Sequence, residues 1–274
     1  MSLRTEPVDF HGAPCIRLHA DDGARAVVAL HGAQLLSWIP ADGRERLFLS
    51  ERARYEPGAA IRGGVPVVFP QFAARGPLPK HGFARTLPWR FDGAGTRATF
   101  ALTDGPATAI WPHAFIAHVH VAMDDSALAI TLECQNRGTS EFTFTAALHT
   151  YLAVDDLGRT SLHGLEGCAY EDSAHGGASR QHHGGELRFD GEVDRIYRTG
   201  SIPVALHDGP HRLAIAQQGF TDTVVWNPGE SLAATIGDLA PHDHRRFVCV
   251  EAGRVLQPVR LAPGERWSGT QHLR

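Results

Sequence analysis

The strongest constraint on the fold is a series of short stretches in which apolar and polar residues alternate with period two, broken by turn residues roughly every ten positions. "RATFALTD", "FIAHVHVAMDD" and "ALAITLECQN" follow this pattern, punctuated by Asp-Asp-Ser and Asn-Arg-Gly turns. Side chains along a strand point alternately to opposite faces, so such a pattern buries one face of a sheet. "ARAVVALHGAQLLSWIP" reads as two strands broken at His31 and Gly32, and "FTFTAALHTYLAV", "TVVWNPG" and "RFVCVEAG" continue the pattern. "PVRLAPGERWSGTQHL" predicts a closing hairpin on a Pro-Gly-Glu turn. No segment holds a helical period: "DLAPHDHRRF" predicts a turn at most, and "SAHGGASRQHHGGE" an exposed loop. The expected class is all-β, a sandwich of antiparallel sheets. With no linker, repeat or low-complexity stretch, residues 1–274 are expected to form one domain.

Composition narrows the function. Hydrophobic residues make up 43%, enough for a sizeable core, while a net charge of -4 lacks the basic excess of a nucleic-acid binder. No run of ~18 apolar residues is available to span a membrane. "MSLRTEPVDF" lacks the apolar centre of a leader peptide, so a cytoplasmic location is expected. Cys15, Cys134, Cys168 and Cys249 are scattered in apolar surroundings with no CxxC spacing, the pattern of buried reduced thiols. Most of the seventeen histidines lie in polar loops and no HExxH is present, so no metal site is expected. His118 and His120 share one strand face opposite Val119 and Val121, and half-exposed strand histidines are the expected reading. P-loop, GxGxxG and GxSxG signatures are absent, leaving no nucleotide cofactor and no serine nucleophile to name.

Three features carry chemistry. His149 interrupts an apolar run in "FTFTAALHTYLAV", and Glu251 ends the continuous apolar run "RFVCV". A polar group at the end of a buried strand is either paired for structure or poised as an acid or base. Converging from different strands, a histidine and a glutamate could divide those two roles near neutral pH. The third feature is "IRGGVPVVFPQFAARGPLPKHGFAR", residues 61–85, a basic loop stiffened by prolines. Arg62 precedes Gly63 and Gly64, which permit close approach of a ligand or another backbone. Lys80 and His81 precede Arg85, and two arginines on a stiff loop suit either an oxyanion or neighbouring acids.

These blocks, in the order "HGAQLLSWIP", "IRGGVPVVFPQF…HGFAR", "LHTYLAV", "VDRIY", "VVWNPG", "FVCVEAG" and "LAPGERW", resemble the aldose 1-epimerase superfamily. They are most similar to its hexose-6-phosphate mutarotase branch. The resemblance implies a galactose-mutarotase-like β-supersandwich that interconverts the α and β anomers of a small hexose phosphate without a cofactor. It implies His149 and Glu251 as the catalytic pair and Asp194 as the group that holds sugar hydroxyls. Arg62, His81 and Arg85 match the other pocket residues, the arginines on the phosphate, with Lys80 as an additional phosphate contact. A monomer or weak homodimer is expected. Gly229 follows Pro228 where many members carry an aromatic residue, which predicts a more open pocket wall. The rival readings are a free-hexose mutarotase and a non-catalytic sugar-phosphate binding sandwich. A third is a metal-dependent cupin-like enzyme, which would need clustered histidine ligands that only His118 and His120 approach.

Overall fold

The computed structural model describes residues 3–274, so Met1 and Ser2 of the leader reading lie outside the described residues. Three antiparallel sheets build the molecule. The first joins Arg4–Phe10, Ala13–His19, Arg25–Ala29 and Leu35–Ile39 in chain order. The second runs Ala178–Gln181, Ala169–Asp172, Val193–Tyr197, Asp222–Asn227, Phe247–Leu261, Phe142–Leu148, Val67–Val68. Tyr151–Ala153 also pairs with Phe247–Leu261. The third runs Thr160–His163, Val204–Asp208, His211–Gln218, Arg266–Leu273, Leu128–Asn136, Phe115–Met123, Ala98–Thr103, Arg90–Ala94. The only α-helix among the described residues is Gly229–Ala233.

The alternation read in the sequence is the alternation of faces. Val119 and Val121 of the third sheet, Val248 and Val250 of the second, and Leu18 and Val28 of the first meet in one core. Cys249 and Glu251, one residue out of phase with Val248 and Val250, therefore lie on the other face of the second sheet. All four cysteines are buried and unpaired, as expected.

Three local readings change. Phe247–Leu261 and Arg266–Leu273 do not pair as a hairpin: the Pro-Gly-Glu turn carries the chain from the second sheet to the third. A turn signature specifies chain reversal and leaves the pairing partner to the core. The segment expected to be an exposed loop forms Ala178–Gln181, a fully exposed edge strand on Ala169–Asp172, followed by buried His182. His118 is partly buried, as a half-exposed strand histidine should be, but His120 is only 6% exposed.

Candidate active site

Strand register brings the two interrupting polar residues together. Leu148 pairs with Ala252, and Tyr151 with Cys249, so the intervening His149 stands across from Glu251 on the same antiparallel ladder. His149 Nε2 lies 3.4 Å from Glu251 Oε1. On the other side of Glu251, the ladder continues through Val224 to Ile196. One step along the same face, Trp226 stands between Cys249 and Asp194. Three strands and the break after Leu148 thus deliver His149, Glu251, Trp226 and Asp194 to one surface.

His149 is boxed by aromatic rings. Tyr151 stacks on it at 4.9 Å and 12°, while Trp226 and His81 approach edge-on at 5.8 and 5.5 Å. The break between Phe142–Leu148 and Tyr151–Ala153 is held by the His149 amide, which donates to the Pro66 carbonyl at 3.0 Å. That contact ties the basic loop to the strand that ends at Leu148.

The loop is positioned by backbone contacts that its glycines permit. Gly63 and Gly64 take positive φ, and a Cβ on either would overlap the carbonyl of Phe48 or Leu35. Close approach here is to protein backbone. Buried Gln34 donates to the carbonyls of Ile61 and Gly63, at 3.1 and 2.6 Å, and so fixes Arg62 between them. Further along, Gln71 donates to the Ala73 and Leu78 carbonyls and accepts from the Leu78 amide, cross-tying the turn that leads to His81. His81 accepts the Ala73 amide at Nδ1, 3.3 Å away, which leaves Nε2 to carry the proton of the neutral ring.

The cationic groups differ in their commitments. Arg62 donates Nε to Asp238 at 3.1 Å and Nη1 to the Tyr151 hydroxyl at 2.8 Å. Burial opposes its charge, but Tyr151 and Asp238 more than offset this and raise its pKa. Arg85 donates Nη2 to the Lys80 carbonyl at 3.0 Å, and its buried Nε has no partner among the described residues. Burial lowers the Arg85 pKa, with Arg62 contributing and Tyr151 opposing. Lys80 is exposed at the rim. Burial, then Arg85, Lys80 and Arg62, push His81 down to about 3.

His149 and Glu251 are perturbed in opposite senses. Burial, with Asp194 adding repulsion, holds the Glu251 carboxyl well above the ordinary carboxylate range. Burial, then His81, Arg85 and Arg62, hold His149 well below the ordinary imidazole range. Asp194 is itself raised, by burial and then Glu192, against the pull of Lys80. Burial disfavours either charged form, and opposite shifts on paired groups are a mark of acid–base sites.

All seven residues singled out in the sequence, Arg62, Lys80, His81, Arg85, His149, Asp194 and Glu251, line one cavity of about 360 Å³. That is within the ~300–1,000 Å³ of small-molecule sites. Trp226, Leu232 and Ile236 complete its wall. Gly229 is not among the residues lining this cavity. Gly229 takes φ +61 and packs where an added Cβ would meet the Glu192 nitrogen at 2.7 Å, and the helix it begins leads Leu232 and Ile236 onto the cavity. Sequence reasoning missed Tyr151 and Asp238, which hold Arg62. Tyr151 stood two residues after His149 and so on its face; nothing near Asp238 in the sequence marks it.

A seven-residue set gathered on one face of the second sheet, with a histidine facing a buried glutamate, coincides with a known sequence family. The family model described as aldose 1-epimerase matches residues 14–274. The chain belongs to the aldose 1-epimerase family. It is 35% identical over 266 residues to a Cenchrus ciliaris protein provisionally named glucose-6-phosphate 1-epimerase, covering 90% of this chain and 81% of the relative. An Escherichia coli protein bearing the same provisional name is 38% identical over 239 residues, 83% of this chain and 79% of the relative. Among solved structures, a Salmonella typhimurium protein provisionally titled a mutarotase (YeaD) superposes with a TM-score of 0.89 at 29% identity. That match covers 98% of this chain and 92% of the other.

Proposed function

We propose that this protein is a hexose-6-phosphate mutarotase that exchanges the α and β anomers of a sugar such as glucose 6-phosphate. The observation that carries the reading is the pair His149 Nε2 and Glu251 Oε1, 3.4 Å apart at the floor of a cavity rimmed by Arg62, Arg85 and Lys80. The names of the Cenchrus ciliaris and E. coli relatives point to the same substrate class.

Glu251 removes the proton of the C1 hydroxyl while His149 protonates the ring oxygen. The bond between C1 and the ring oxygen breaks, giving an open-chain aldehyde and a hydroxyl on C5. Rotation about C1–C2 presents the other carbonyl face, and closure returns both protons with the two residues exchanging roles. Each transfer contributes ~10² to 10⁴-fold. Asp194 accepts from sugar hydroxyls and sets C1 against the pair, while Arg62, Arg85 and Lys80 hold the phosphate. His81 completes the wall beside His149.

The charge distribution gives the phosphate a second part. Arg85 and Arg62 are two of the groups that depress His149. A phosphate dianion between them offsets that repulsion, so the proton shared by the pair moves toward His149 and leaves Glu251 free as the base. Binding energy at a remote group then serves the reacting end. The same reading takes the chain as a single domain acting in the cytoplasm, supported by a core that draws on residues from Leu3 to Leu273 and by four buried thiols.

The test is anomer exchange followed by NMR on glucose 6-phosphate and on glucose, with the wild-type protein and Arg85→Ala. The expected outcome is a clear preference for the phosphorylated sugar that Arg85→Ala largely removes. Equal losses on both sugars would refute the phosphate role. Acceleration of neither would leave a binding protein.

A further inference from the structure

We propose that the solvent-side face of the third sheet carries a binding site for a divalent transition-metal cation of the zinc class, built from His118, His120 and Glu133 and separate from the sugar cavity. The strand Phe115–Met123 places His118 and His120 two residues apart, hence on one face. The neighbouring strand Leu128–Asn136 pairs Glu133 directly with His118. One ligand atom from each of the three lies within 4.8 Å of the other two.

The groups are under-satisfied where they stand. His120 is 6% exposed, and its Nδ1 is engaged with the Thr99 hydroxyl at 3.0 Å. Its Nε2 is buried without a partner among the described residues. His118 Nδ1 is likewise buried and unpartnered, 3.5 Å from Glu133 Oε1 and too far for a good hydrogen bond. The two rings lie side by side, 5.7 Å apart and 16° from parallel. A buried nitrogen left unpaired costs free energy, and a cation shared by both imidazoles and the carboxylate would relieve it. The Thr99 contact is the kind of outer partner that orients a ligating imidazole.

Ligand chemistry selects the ion. Two imidazoles and one carboxylate suit zinc, copper or nickel, whereas calcium and magnesium take oxygen donors. Ligands around one zinc lie at ~2.0–2.2 Å from it, so the three atoms must draw together by roughly an ångström. Rotation of the partly exposed His118 and Glu133 side chains supplies that movement. Arg266 competes for the carboxylate, with Nη1 at 3.2 Å from Glu133 Oε1, but its side chain is 56% exposed and free to swing into water.

Calorimetric titration of the full chain with Zn²⁺ at neutral pH tests the site, with Co²⁺ absorption as a second readout. One equivalent should bind to the wild-type protein and to His149→Ala. His118→Ala and Glu133→Gln should each weaken it at least ~10-fold, since loss of even an outer partner costs ~10–100-fold. The ion should also raise the melting temperature of the wild type and not of those two variants, and His118→Ala should exchange anomers at the wild-type rate. The proposal is overturned if the wild type takes up no stoichiometric ion or if all variants bind equally. Loss of binding in His149→Ala alone would also overturn it, by putting the ion in the sugar cavity.

Discussion

Glu251 is 1% exposed, with Oε2 lacking a hydrogen-bond partner among the described residues and Asp194 repelling its charge. Its folded-state pKa is raised above the unfolded value, so the native protein resists ionisation that the unfolded chain accepts. The resulting destabilisation is absent at low pH and grows as pH rises past the ordinary carboxylate range. Glu251→Gln removes the titration. Anomer exchange should fall ~10² to 10⁴-fold. The melting temperature should rise, by an amount that widens as pH increases. Thermal melts across a pH series check this, and a variant that melts lower than wild type at neutral pH would sink the claim that this carboxyl is held against its own hydration. Under the proposed function, Glu251 serves catalysis at a cost in stability, a trade common in active sites.

Among the elements, the segment from Phe69 to Arg85 illustrates how a loop is held by a few backbone contacts. Gly82 adopts φ +69 against the Phe69 carbonyl, which also accepts the Phe83 and Ala84 amides at 3.1 and 3.2 Å. A Cβ there would strain the backbone and collide with that carbonyl, displacing His81 and Arg85 on either side. Gly82→Ala should cost at least ~1–2 kcal/mol from the left-handed conformation alone. Gly185→Ala, where an added Cβ meets nothing within 4 Å, should stay within ~0.5 kcal/mol of wild type. Chemical denaturation compares the pair, and equal effects would remove the steric argument. This loop was legible in the sequence as basic and stiff. Its contacts were not, because Gly63, Gly64 and Gly82 look alike in sequence whether they face a ligand or a backbone. The closing hairpin was misread for a related reason: "LAPGERW" encodes a reversal, and the choice between pairing and crossing to another sheet depends on which core each strand enters.

At the scale of the whole molecule, one core cluster takes side chains from all three sheets, among them Leu18, Val119, Val250 and Leu273. A core shared in this way predicts a single cooperative unfolding event. Scanning calorimetry should show one transition that coincides with loss of anomer exchange; two separated transitions would contradict the one-domain reading. Period-two alternation was enough to set the β class, and His149 and Glu251 stood out because polar residues in apolar runs are costly to bury. It also carried the ordered blocks that resemble the aldose 1-epimerase family. Folding was needed to bring His149 to Glu251, to clamp Arg62 with Asp238 and Tyr151, and to set Glu133 beside His118 and His120. The physical reason is that alternation reports which face a side chain takes, a local property of the backbone. Which strands become neighbours, and in what register, is set by burial across the whole sheet, and the chemistry depends on that register.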